Sequence, residues 1–116
     1  MKNTDVSKKY NDALDLLQIA FDESDYSILS DSMDLFLEII SFDENFTEAY
    51  FCLAYISSIL NNKTYTKLLI EKVLELEPFN INAQKMLKEI ATDSISVMDN
   101  NITKQNFLNN IKQGFK

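Results

Sequence analysis

The chain has 116 residues, with 18 acids against 11 Lys, no Arg, no His and a formal net charge of −7. That length makes a single domain able to bury roughly two-thirds of its unfolded surface, and one Gly and one Pro supply too few turns for an all-β fold. The lack of His removes the commonest acid–base group and metal ligand.

No apolar run approaches the roughly 18 residues of a membrane span, and the N-terminal MKNTDVSKKYNDALD is too polar for a signal sequence. A cytoplasmic location is therefore expected, and a lone Cys suits a reducing compartment. The charge is unevenly placed. Residues 10–62 carry eleven acids and no base, whereas residues 63–116 carry eight Lys and six acids. A phosphate backbone needs clustered cations, so nucleic acid is not expected as a partner. The acidic first half either attracts a basic partner or the Lys-bearing end of another copy, or serves only as a solvated face.

In chain order, Tyr10, Ala13, Leu14, Leu17, Ala20 and Phe21 recur at the spacing of one helical stripe, with Asp5 or Ser7 as the expected cap. Asp22-Glu23-Ser24-Asp25 interrupts the pattern. A second stripe, Ile28, Leu29, Met33, Phe36, Leu37 and Ile40, follows with Ser27 or Ser30 as cap and stops at Asp43-Glu44-Asn45. A third helix is predicted from Thr47, itself a capping residue type, with its packing stripe on Tyr50, Leu53, Ala54 and Ser57.

Asn61-Asn62 ends that helix, because Asn tolerates the left-handed conformation that closes one. A fourth runs from about Thr64 to Leu76 and is stopped by Pro78, whose ring bars helical geometry at the residue before it. A fifth begins near Ile81 with Ala83, Met86, Leu87, Ile90 and Ala91. The last convincing stretch is Thr103 to Lys112 with Phe107, Leu108 and Ile111, continued by Phe115 and extended upstream if Ile95, Val97 and Met98 belong to it. Short loops imply antiparallel neighbours, giving six helices in three hairpins.

Residues 47–80 resemble a tetratricopeptide repeat, a 34-residue helix-turn-helix. Tyr50, Leu53, Ala54, Ile70 and Pro78 stand at its signature positions, while Thr66 and Val73 replace the usual small residues. Residues 7–46 resemble a second, imperfect repeat: Ser32, Phe36 and Ile39 match, Glu44 replaces the proline, and the loop is longer. Residues 81–116 resemble a degenerate repeat with a capping helix, as terminal repeats often do. The resemblance implies an all-α fold of stacked hairpins, one domain over residues 1–116, with a concave groove lined by the first helix of each hairpin. It places Glu48, Phe51, Tyr55, Ser58 and Ile59 in that groove, with Asn11, Asp15 and Gln18 from the first repeat and Asn82, Lys85 and Glu89 from the third.

Phe51 and Tyr55, four residues apart on one face and clear of the packing stripe, are the expected anchors for a bound peptide; they pack internally or between subunits if there is no groove ligand. The clamp by which some repeats of this type hold the C-terminal carboxylate of chaperones is absent, because its positions carry Cys52, Asn82 and Met86. Cys52 is expected to be a small packing residue, since a Cys nucleophile needs a base beside it. A single Gly forbids a phosphate loop. The C-terminal stripe, flanked by Lys104, Lys112 and Lys116, either caps the last hairpin or docks in a groove or on an acidic membrane surface. The sequence thus points to a non-enzymatic protein- or peptide-binding module without cofactor or metal, with a secretion-type chaperone or a structural homo-oligomer as the other readings.

Overall fold

The computed structural model describes residues 2–91 and 101–113. Within them the chain forms six helices: α1 (Lys2–Glu23), α2 (Tyr26–Phe42), α3 (Thr47–Ile59), α4 (Lys63–Leu76), α5 (Ile81–Ala91) and α6 (Asn101–Lys112). No strand occurs among the described residues. Successive helices from α1 to α5 pack side by side, and α6 returns to lie against α1. Ile95, Val97, Met98, Phe115 and Lys116 fall outside the described residues.

Chain stops sit where local chemistry requires them. Ser24 (φ 53°) and Asn61 (φ 62°) adopt left-handed backbone at the ends of α1 and α3, and Asn is among the few side chains that do so at small cost. Asn62 then starts α4, its carboxamide oxygen accepting from the Tyr65 amide at 3.1 Å. Three cap expectations are corrected. α1 begins at Lys2, ahead of both Asp5 and Ser7. α2 is capped by Asp25 rather than Ser27 or Ser30: its carboxylate accepts from the Ser27 amide at 2.9 Å and the Ile28 amide at 3.4 Å. The Ser27 hydroxyl, donating to the same carboxylate at 2.7 Å, and these two amides favour the charged form and hold the Asp25 pKa below the usual carboxylate value. Thr47 is likewise not a cap. It is the first residue of α3, buried, and follows Phe46, which makes no side-chain capping bond.

The core is organised around α3. Eleven of its thirteen residues are buried, the exceptions being Glu48 and Ile59. A helix apolar on every side must be covered on every side, and α1, α2, α4 and α6 together do this. The α2 positions Ser32, Phe36 and Ile39 and the α4 positions Thr66, Ile70 and Val73, 34 residues further on, are all fully buried. Ser32 and Thr66 hide their hydroxyls in helical hydrogen bonds. Ser32 Oγ donates to the Ala13 carbonyl at 3.0 Å, tying α2 to α1, and Thr66 Oγ1 donates to the Asn62 carbonyl at 2.7 Å. A polar residue is tolerated there because its donor is satisfied.

Candidate functional site

α1, α3 and α5 contribute side chains to a common face, and α6 lies across it. Phe107 of α6 stacks on Tyr55 with ring centroids 4.0 Å apart and planes 4° from parallel, and it meets Phe51 at 5.5 Å. Tyr55 also meets Phe21 of α1 edge-on at 6.1 Å. Offset and edge-on ring contacts of this kind add specificity to the area they bury. Leu108 and Ile111 are buried beside Phe107. The polar edges of α6 are held by hydrogen bonds: Gln18 donates to Gln105 at 3.1 Å and Asn110 to Asn82 of α5 at 3.3 Å, both amide pairs, and the Lys112 ammonium donates to Gln18 at 3.5 Å. At the other end, the Lys104 ammonium stands 5.6 Å from the Phe21 ring centroid, within range of a cation–π attraction.

This arrangement corrects the expectation for the aromatic pair. Phe51 and Tyr55 do face the side predicted for a groove, but they are 4% and 2% exposed, because α6 covers them. Ser58 is also buried, its hydroxyl donating to the Tyr55 carbonyl at 2.6 Å. The third hairpin is corrected as well: α6 packs chiefly on α1 and on the rings of α3, and meets α5 through the Asn110–Asn82 bond. α6 thus serves as a cover for the face made by α1 and α3.

Among the described residues, clefts lie open beside α6. One, of about 390 Å³, is lined by Tyr10, Asn11, Leu14, Asp15, Glu48, Ile111 and Lys112. It joins three of the predicted residues, Asn11, Asp15 and Glu48, with the basic end of α6. Another, of about 250 Å³, lies between the α1–α2 corner, Ile59 and Lys104. Lys85 is exposed and Glu89 half-buried on α5, and neither lines these clefts. Gln18 and Asn82 do belong to the face, through their bonds to α6.

Beneath the first cleft, the Cys52 thiol is fully buried and its pKa is pushed well up, first by loss of hydration and then by the Glu48 carboxylate. It is held as a neutral thiol, unsuited to nucleophilic work. The Tyr10 hydroxyl neighbours it, buried without a hydrogen-bond partner of good geometry, and burial drives its pKa up too. Among the described residues no three Cys, Asp or Glu side chains converge as metal ligands would, and no helix is long and apolar enough to cross a membrane. No protein-family model, curated protein or solved structure matches this chain.

Proposed function

We propose that the chain is a non-enzymatic protein-interaction module of tetratricopeptide-like architecture, and that the face made by α1, α3 and α5 binds a helical segment of a protein. The observation that carries this reading is the seating of α6. An amphipathic helix lies on this face with an aromatic anchor stacked at 4.0 Å on Tyr55, the arrangement of helix-in-groove recognition. The equivalent burial of Ser32, Phe36 and Ile39 with Thr66, Ile70 and Val73 supports the repeat architecture. The eleven acids of residues 10–62, of which Asp12 and Glu38 pair with Lys8 and Lys9, favour a basic partner.

The test uses a synthetic peptide of residues 101–113, added in excess to isotopically labelled chain and followed by NMR. Binding is expected to shift the resonances of Asp15, Gln18, Tyr55 and Asn82 together. If those positions stay unmoved at every peptide concentration, both in the wild-type chain and in F107A/L108A, the face is not a binding site.

A further inference from the structure

α6 differs from the helices it covers in what keeps it helical. Four of its twelve residues are Asn, with Thr103 beside them, and these side chains compete with the backbone for hydrogen bonds outside a helix. Twelve residues is also near the lower limit at which an isolated helix persists in water. Helix α6 therefore depends on docking, and its described docking is narrow. Phe107, Leu108 and Ile111 are buried, and the rim is held by polar contacts: amide pairs at Gln105 and Asn110, Lys112 on Gln18 and Lys104 over the Phe21 ring. Such amides exchange for water at little net cost. The surface beneath is different: the Phe51 and Tyr55 rings belong to a helix that α2 and α4 also pack against.

We infer that α6 is a resident competitor for the groove, and that the partner is a basic amphipathic helix of the same pattern, Lys-x-x-Phe-Leu-x-x-Ile-Lys, which must displace it. This rests on the binding face proposed above. The pattern is the one α6 presents through Lys104, Phe107, Leu108, Ile111 and Lys112. The open cleft at Asp15 and Glu48 gives an incoming helix a further acidic contact next to the position of Lys112. An intramolecular occupant lowers apparent affinity by the fraction of chains whose groove is free. Loosening α6 therefore raises affinity without touching the groove.

The experiment is fluorescence anisotropy with the labelled 101–113 peptide, titrated into the full-length chain, into F107A/L108A and into Lys112→Glu, each checked for helix content by circular dichroism. The peptide is expected to bind F107A/L108A at least tenfold more tightly than wild type, and Lys112→Glu several-fold more tightly. The Lys112→Glu variant opens no cavity and keeps the test decisive if the double variant fails to fold. Equal affinity for wild type and the loosened chains would overturn the competitor while leaving the groove intact. No binding to any folded variant would overturn both. A peptide lacking its Phe that still binds F107A/L108A as tightly would overturn the proposed pattern.

Discussion

α3 and α6 touch through the same rings yet are held in place differently. α3 is thirteen residues long and buried on nearly every side, so it has no exposed face from which to peel away. α6 is twelve residues long, rich in Asn, and is attached by Phe107, Leu108 and Ile111. One helix is the centre that the others require; the other supplies a last covering layer. Tertiary packing holds both helical, but only α6 has water as a ready alternative to its neighbours. Opening free energies within one domain span a wide range, and these helices should lie near its two ends.

The largest expected effect is at Leu53, which is 0% exposed in the middle of α3. Leu53→Ala should cost about 2–5 kcal/mol, as large-to-small changes in packed cores do, read from the shift of a urea unfolding midpoint. A loss below about 1 kcal/mol would mean that α3 is not the rigid centre.

Phe107→Ala should cost less, about 1–3 kcal/mol, because the loss cannot exceed what docking α6 contributes. The sharper distinction is additivity. Once Phe107→Ala has undocked α6, adding Leu108→Ala should cost clearly less than Leu108→Ala does alone. Hydrogen exchange should agree: α6 amides should exchange through local opening, and α3 amides only through global unfolding. Equal protection of the two helices would erase the contrast.

Much of this contrast is legible in the sequence, but what covers α3 is not. Helix periodicity is a local property, so the six helices, the break at Asn61-Asn62 and the stop before Pro78 are legible from spacing alone. The caps were not, because Asp25, Ser27 and Ser30 are all capping types. The choice among them depends on where the corner at Ser24 turns, which packing decides. Phe51 and Tyr55 were expected to lie open because the packing stripe of α3 was drawn along Tyr50, Leu53, Ala54 and Ser57. The unbroken apolar run Ala49–Ile56 is the signal for burial on all sides. What no local pattern supplies is the identity of the cover. Phe107 lies about fifty residues beyond Tyr55, and their contact is a matter of tertiary arrangement.

A smaller effect is expected beneath α3, where the Tyr10 ring packs against Phe36 and Phe46 and its hydroxyl is buried beside the Cys52 thiol without a hydrogen bond of good geometry. A buried, unpaired hydroxyl loses hydration without recompense. Tyr10→Phe keeps the ring and removes the unpaired group, so it should stabilise the α3 core by up to about 1 kcal/mol and leave α6 exchange unchanged. Destabilisation would show that the hydroxyl has a role its surroundings do not account for.

The smallest expected effect concerns pH and lies far from α6. Asp25 is fully exposed, and its hydrogen bonds from Ser27 and Ile28 lower its folded pKa below the usual carboxylate value. A depressed folded pKa gives stability that is present above the unfolded pKa and lost as pH falls through the folded one. The cap should therefore contribute fully at neutral pH and fade below about pH 4. Asp25→Asn retains a capping oxygen but cannot titrate. It should flatten part of the acid limb of global stability measured at α3 amides, while the local opening of α6, which does not rest on the start of α2, keeps its wild-type rate. If α6 loosens in step with Asp25 protonation, the two helices are coupled through the α1–α2 corner and the cleft shared by Asp25 and Lys104, and α6 is then less independent of the core than its narrow docking implies.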